Sequence, residues 1–391
     1  MIAELFLWIL IIPVVHSYIL YPISLHLISK IKKGVISCFA VFKENELPFI
    51  SIIIAAYNEE KVIKEKIMSI VNDTYPKNKI EILVGSDNST DNTNAILREL
   101  SAKYDFIHLW EFTQRMGKPG ILNTLVNKTK GEILILTDAN IIFSSNTSYE
   151  LVKYFKNQKV GLVDANMQAT FTNRSGISVQ EQTYITREVK IKSMEGYCWG
   201  TMMGPFGGCY ALRKNLFEKI PATFLVDDFF INLNVINQHY YSLNNLGAIV
   251  FEDISNNAKE EFRRKVRISA GNFQNLSKFY KILFPPWSSV AYCFLSHKVL
   301  RWVSPIFLVL IFLLNAYLAF SSYFYYILFI VQVVFYVIPL ADYLLRKFHI
   351  HIVLLRFVTH FINMNLALLM GFFKYLKGIK SNVWEPTARN Q

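Results

Sequence analysis

Four short stretches carry side chains able to do chemistry. In "LTDAN" (136–140), Asp138 and Asn140 stand two apart after an apolar run, which points two oxygen donors to one side. Mg²⁺ or Mn²⁺ is commonly held by one or two such groups, with phosphate oxygens and water completing the shell. In "LVDDFFIN" (225–232), Asp227 and Asp228 are adjacent; paired acids either begin a solvated helix or supply a general base beside a metal diphosphate. "EEFRRKVR" (260–267) concentrates Arg263, Arg264, Lys265 and Arg267, as either a basic amphipathic helix on a membrane surface or a cationic clamp on a diphosphate. "SDNSTD" (86–91) ends an apolar run and reads as an Asx-type turn with Asp91 as helix N-cap, or as a carboxylate, Asp87, delivered to a ligand. A calcium loop is excluded: the twelfth position from Asp87 is Arg98, where a bidentate Glu is required, and the sixth is not Gly.

The elements that would position these residues follow from periodicity. Apolar β-branched runs predict strands at 49–56, 80–86, 107–112 and 131–139. Between them, helical spacing predicts helices at 58–72, 92–104 and 120–127. Near-continuous apolar strands alternating with helices indicate a parallel sheet covered on both faces, an α/β fold. Ligands of such sheets bind at the carboxyl ends of the strands, where Asp87 and Asp138 emerge.

The rest of the chain is membrane-like. It has 391 residues, 52% of them hydrophobic, and a mean hydropathy of +0.28. Leu5–Ser29, Trp302–Ala341 and Phe357–Phe373 contain no Asp, Glu, Lys or Arg. A bilayer core takes roughly 20 apolar helical residues, so the first stretch makes one span and the second two, breaking near Ser321-Ser322. The third is either interfacial or a span. The expected layout is an anchor at 1–33, a catalytic domain at 34–285, an interfacial helix at 286–301, paired spans at 302–345, and a last helix with a basic tail at 346–391. Lys30, Lys32 and Lys33 after the anchor place the domain in the cytoplasm by the positive-inside rule. The anchor lacks a basic n-region and is too long for a signal peptide. A net charge of +12 suits anionic lipid and an anionic substrate; no basic helix with stacking aromatics points to nucleic acid. Four cysteines without CxxC spacing indicate neither a disulfide framework nor a zinc site. Trp199 is placed either to stack on an acceptor sugar or to pack at the membrane face.

Taken in order, "AAYNEE" (55–60), "VGSDNSTD" (84–91), "GKPGILN" (117–123), "LTDAN", "GPFGGCYALRK" (204–214), "VDD" (226–228) and the Arg-rich segment beside apolar spans resemble one family. This is the membrane-bound family 2 glycosyltransferase group of the cellulose synthase and hyaluronan synthase type. The resemblance implies a GT-A fold, an inverting transfer from a nucleoside-diphosphate sugar, by analogy a UDP-sugar, and a Mg²⁺ or Mn²⁺ cofactor. It implies that Ala56, Tyr57 and Glu59 line the nucleotide pocket and that Asp87 contacts the nucleobase. Lys118 and Asn123 match the family's "GK…N" element near the nucleotide, and Asp138 and Asn140 its metal triplet. Gly207 and Gly208, with Arg213 behind and Asp227 beside, border the acceptor. Asp228 matches the catalytic base, and Arg264 and Arg267 fall in the "QxxRW" box beside the nucleotide. The acceptor is then a saccharide or lipid-linked hydroxyl at the inner (plasma) membrane, with a second copy or a polysaccharide export partner as further candidates.

The chain departs from that pattern. The box lacks both Gln and Trp, the acidic pair is Asp-Asp, and the Pro before the first loop is Ala55. Loss of the Trp argues against processive synthesis of a secreted polymer, which stays as an alternative beside a non-catalytic nucleotide-binding scaffold. A nucleotidyltransferase would carry glycines after its first strand, and "AAYNEE" has none. A P-loop is excluded at Gly117-Lys118-Pro119, and a transporter would need more spans and intramembrane charges.

Overall fold

A computed structural model gives the architecture; it describes residues 2–170, 178–253, 258–348, 350 and 352–382. Strands β1 (Ile50–Ala56), β2 (Ile80–Ser86), β3 (Ile107–Glu111) and β4 (Ile133–Asp138) pair in parallel, within two residues of the expected bounds. β1 and β2 are buried along their whole length. Alternate β1 residues serve opposite faces, as the pleat requires. Ile52 and Ile54 join the core under helices α3 (Ile63–Val71) and α4 (Thr93–Lys103), whereas Ile53 joins that under α5 (Gly117–Val126). Each such side chain stabilises by about 1.5–3 kcal/mol, so this half of the sheet is a stiff base for its carboxyl-end loops.

The helix expected from residue 58 starts only at Ile63, because tertiary bonds take the backbone of its first turn. The amides of Asn58, Glu59 and Glu60 donate to Ser89 Oγ, Thr93 Oγ1 and Asp91 Oδ2. Asp91 is thus a brace between two loops; Asn92 occupies the N-cap position of α4.

Beyond β4 the sheet becomes mixed. After β5 (Ile142–Phe143) and α6 (Thr147–Val152), strand β6 (Val160–Thr170) leads to α7 (Ser178–Trp199), β7 (Cys209–Arg213), α8 (Asp227–Asn237), β8 (Tyr241–Asp253) and α9 (Ala258–Phe279). The order across the eight strands is β3-β2-β1-β4-β7-β6-β8-β5, with β7 antiparallel to both neighbours. β7 directly abuts β4, so its preceding loop lies over the end of β4.

Four helical stretches are long and apolar enough to cross a membrane: Ile2–Ser37, Ser289–Leu318, Tyr323–Lys347 and Val353–Leu376. The first joins α1 (Ile2–Val15) to α2 (Tyr21–Ile31) through a π-helical turn at His16–Leu20. The second runs from α10 (Ser289–Cys293) through a π turn at Phe294–Val299 into α11 (Leu300–Leu318), so no break separates 286–301 from the span that follows. The π turn widens the helix where Ser296 and His297 are buried against the rest of the protein. The chain turns at Ser321-Ser322, as expected, into α12 (Tyr323–Lys347), and α13 (Val353–Leu376) closes the bundle. α11 leaves the catalytic domain and α12 returns toward it. α13 also ends on that domain: Ser269 Oγ of α9 donates to Leu368 O at 2.8 Å, and Phe372 packs 5.0 Å from Phe273. Beyond it, Asn382 Nδ2 donates to Phe224 O. The basic residues expected after the last helix, Lys374, Lys377 and Lys380, lie exposed at its end, and residues 383–391 fall outside the described residues.

Candidate active site

A cavity of about 620 Å³ opens at the carboxyl ends of β1 and β4 and runs between α7, α9, α11 and α13. At its sheet end three acids converge on one lysine. Lys118, in the first turn of α5, sits 2.7 Å from Asp138 Oδ1 at the end of β4 and 3.4 Å from Asp227 Oδ2 at the start of α8. Burial would lower the Lys118 pKa, yet Asp138 and Asp227 hold it well above the ordinary lysine value. Burial and the neighbouring Asp227 carboxylate push Asp228 up to about 7, with Lys118 opposing. The loop before β7 closes over this group. Gly207, at φ +83°, lies so near that a Cβ there would meet Asp228 Oδ2 at 2.4 Å; only glycine permits both the conformation and the approach.

The end of β4 is braced from behind. Thr137 Oγ1 and the Asp138 amide both donate to Gly208 O. Lys66 of α3, fully buried, donates to Thr137 Oγ1 at 2.8 Å and Ile141 O at 2.5 Å and lies 4.0 Å from the Phe143 ring centroid. Burial lowers its pKa to about 7. Lys66 thus brackets the Asp138–Asn140 turn. Its signal in the sequence was a lysine on the apolar face otherwise made by Val62, Ile63, Ile67 and Ile70. Asn140 also faces the cavity and donates to Glu252 Oε1 of β8 at 3.2 Å, an acid that sequence reasoning did not single out.

On the opposite wall stand Arg264 and Arg267 of α9. Arg264 makes a bidentate pair with Glu261 at 2.8 and 2.9 Å, and Lys265 joins at 3.3 Å. Against the cost of burial, these cations hold the Glu261 carboxyl down at about 2. Burial lowers the Arg267 pKa.

Other expected site residues lie outside this cavity. Asp87 is fully buried, and its oxygens accept from the Met116 and Gly117 amides and from Arg115 Nε. Both its oxygens are engaged by the loop leading to Lys118, which it shapes. Arg115, missed in the sequence, lies over the Tyr57 ring with its guanidinium carbon 3.3 Å from the centroid, giving a flat stacked surface beside the buried Ala56; Glu59 does line the cavity. Asn123 is occupied in both directions by the backbone of Ile220, which makes it a brace. Arg213 donates to the carbonyls of Phe155, Asn157 and Val160. A Cβ on Gly208 would meet Ile141, so that glycine serves packing. Trp199 packs by its edge on Tyr292, with Lys32 Nζ 5.3 Å from its ring centroid, which is the membrane-face alternative.

The deep end of the cavity holds a second ionic cluster that the sequence did not reveal. Glu188 of α7 pairs with Lys298 at 3.1 Å, with His297 Nε2 at 3.0 Å and with Arg301. His297 Nδ1 meets Glu195 Oε1 at 2.7 Å; Tyr21 OH and the Met203 amide donate to the same carboxylate. Burial alone would raise the Glu188 pKa, but Lys298, Arg301 and His297 hold it well below the usual carboxylate range.

The residues present suit a divalent cation. Among the described residues no three His, Cys, Asp or Glu side chains form a complete cage. Mg²⁺ and Mn²⁺ sites that share their ion with a nucleotide do not need one. Asp138 is partly exposed to the cavity, and Asp227 Oδ2 is buried with no hydrogen bond. Three carboxylates against one ammonium leave negative charge to neutralise.

Comparison with known proteins agrees with this geometry. Residues 51–221 match the family described as glycosyl transferase family 2. A probable glycosyltransferase, YdaM, of Bacillus subtilis (strain 168) is 28% identical over 263 residues, covering 62% of this chain and 60% of the relative. A beta-monoglucosyldiacylglycerol synthase of Nostoc sp. is 38% identical over 122 residues, 31% of this chain and 26% of that protein. The chain therefore spans less than two thirds of either relative's length. A mannosyltransferase from Pyrobaculum calidifontis, solved with GDP-Man and Mn²⁺, superposes with a TM-score of 0.72 at 20% identity, covering 95% of this chain and 99% of that one. The fold is thus the GT-A arrangement with flanking apolar helices that the sequence led us to expect.

Proposed function

We propose that this chain, which carries a family 2 glycosyltransferase domain at residues 51–221, transfers a sugar from a nucleoside-diphosphate donor to a hydroxyl acceptor at a membrane, with inversion at the anomeric carbon. The observation that carries this reading is the meeting of Lys118, Asp138, Asp227 and Asp228 in one cavity whose far end reaches the apolar helices. A UDP-sugar is the donor we favour.

The roles follow from position. The nucleoside rests on the stacked Tyr57–Arg115 surface, beside the loop that Asp87 holds in place. Its diphosphate faces Lys118 from below and Arg264 and Arg267 from the α9 wall. Asp138, with Asn140 beside it, holds a divalent cation that, when bound, neutralises charge on the leaving diphosphate. Asp228 takes the proton of the attacking hydroxyl. A pKa near the working pH is what a general base needs, and burial beside Asp227 supplies it. The Gly207 loop keeps the acceptor close to that carboxylate. Direct displacement with one base gives inversion, because no protein nucleophile intervenes.

The domain would face the cytoplasm, with Ile2–Ser37, α11 and α12 crossing the inner membrane and α13 lying along it. Cysteines introduced at Ser321 and Lys380 test this layout. Only Ser321→Cys should react with an impermeant maleimide added outside intact cells; labelling of Lys380→Cys would make α13 a span.

The deciding assay uses purified protein in nanodiscs with Mn²⁺ or Mg²⁺ and single nucleotide sugars, following release of nucleoside diphosphate. Release from one donor that disappears in Asp228→Asn supports the reading and names the sugar. Nucleotide binding without turnover, for every donor and for both saccharide and lipid acceptors, would favour the scaffold alternative. Product length distinguishes single addition from a processive synthase.

A further inference from the structure

We infer that Glu252 is a positioning residue for the cation site: it holds the Asn140 amide so that the carbonyl oxygen, and not the NH₂ group, is the end offered to the ion. The inference rests on the reading above, in which Asp138 and Asn140 hold a divalent cation.

The backbone around Asn140 is fixed first. β5 pairs antiparallel with β8, with Ile142 opposite Phe251 and Phe143 opposite Val250. The Ser144 amide and Thr147 Oγ1 both donate to Ile249 O. On the other side of the turn the Ile141 amide donates to Asp138 O at 3.3 Å, and Lys66 Nζ donates to Ile141 O. This ladder puts Glu252, the residue after Phe251, beside the turn that carries Asn140. With the main chain held from both sides, what is left to set is the Asn140 side chain.

An asparagine is an ambiguous metal ligand. Its planar amide has an acceptor oxygen at one end and a donor nitrogen at the other, and a half turn of the group exchanges them. An aspartate has no wrong end. Divalent cations of this kind take oxygen donors, so the turned amide would point N–H hydrogens at the ion. Asn140 Nδ2 donates to Glu252 Oε1 at 3.2 Å. An ionised carboxylate only accepts, so nitrogen alone can make this bond and turning the amide loses it. Asn140 is also buried, which keeps water from replacing the lost partner.

Charge accounts for the choice of residues. Asp138, Glu252 and Asp253 line the same cavity. An aspartate at position 140 would set two carboxylates against each other across the contact that Asn140 now makes, and like charges that close disfavour each other's ionised form. The neutral asparagine supplies the oxygen without that conflict, and the acid behind it removes the ambiguity. Partners that orient a ligand in this way typically contribute about 10–100-fold to metal affinity.

The test is a double-mutant cycle on the purified full chain in nanodiscs: unmodified, Glu252→Gln, Asn140→Asp, and both together. UDP and GDP affinity is measured for each with Mn²⁺ and with EDTA, and the thermal midpoint reports folding. Glu252→Gln should weaken Mn²⁺-dependent binding about tenfold, because a glutamine amide can itself donate and draw the Asn140 oxygen away from the ion. In the Asn140→Asp background the same change should strengthen that binding, because the new aspartate only accepts and the glutamine supplies its donor. The reversal separates positioning from charge: a carboxylate acting by charge alone is missed equally in both backgrounds. Equal weakening in both, or no effect of Glu252→Gln, would overturn the inference and leave the cation reading intact. A loss in EDTA as large as the loss with Mn²⁺, or a collapsed thermal midpoint in both backgrounds, would also overturn it and make Glu252 a support of the fold. Absence of any Mn²⁺ effect in the unmodified chain would remove the cation reading, and this inference with it.

Discussion

The two ends of the cavity are built from the same side-chain chemistry, but only one of them leaves its charge unbalanced. At the sheet end, Asp138, Asp227 and Asp228 surround one Lys118. At the membrane end, the enclosed Lys298 and Arg301 are matched by Glu188 and Glu195 around His297. The sheet end is also partly open, with Asp138 exposed over about two fifths of its side chain, whereas Glu188, Glu195 and His297 are almost wholly enclosed. An open acidic site suits an exchangeable cation with its nucleotide. An enclosed, balanced ionic cluster holds neighbouring helices together. One end is set up for chemistry and the other for joining helices.

The largest effect that could break this contrast is on turnover. Asp228→Asn should lower transfer by about three orders of magnitude, within the range general bases supply, while nucleotide affinity stays within about twofold. Comparable activity in the variant would remove the base from the sheet end. Glu188→Gln should do the reverse: it leaves the cations of the membrane end uncompensated, and breaking such a buried pair costs roughly 3–5 kcal/mol. A fall in thermal midpoint with nucleotide affinity retained supports the division, and an unchanged midpoint would show that Glu188 holds nothing. Smaller again, Asp138→Ala should weaken Mn²⁺-dependent nucleotide binding roughly tenfold with no change in EDTA. Equal affinity with and without Mn²⁺ in the unmodified protein would remove the metal.

The same contrast explains what the sequence disclosed. Asp87, Asp138 and Asp228 each follow an apolar run at a strand end or helix start, so local pattern marks them and the parallel half-sheet says where they go. Asp87, in its loop, and Asn123, on α5, have roles that only three dimensions decide: main-chain amides take up one and the Ile220 backbone the other. The membrane end gave no local signal, because Tyr21, Glu188, Glu195 and His297 come from three segments separated by 102 to 174 residues. Each alone looks like an ordinary polar residue on a helix. The mixed half of the sheet was equally hidden, since β6 and β8 pair across an inserted α7, β7 and α8.

The finest distinction lies within the sheet end, between Asp227 and Asp228. Burial and the Asp227 charge raise Asp228 to about 7, above the ordinary aspartate value near 3.9. The folded protein therefore binds a proton more readily than the unfolded chain between those pH values. Stability from this group is fully present below about pH 4 and is lost as pH rises through about 7. Without added metal, Asp228→Asn should raise the thermal midpoint at pH 8 and leave it nearly unchanged at pH 4. Activity runs the other way, because the base must be unprotonated, so kcat/KM should climb as pH rises toward neutrality. Asp227→Asn removes a neighbouring charge and should move that limb to lower pH with a modest loss of rate. A limb that stays in place would mean that burial alone sets the Asp228 pKa, and that the second acid serves Lys118 and the cation instead.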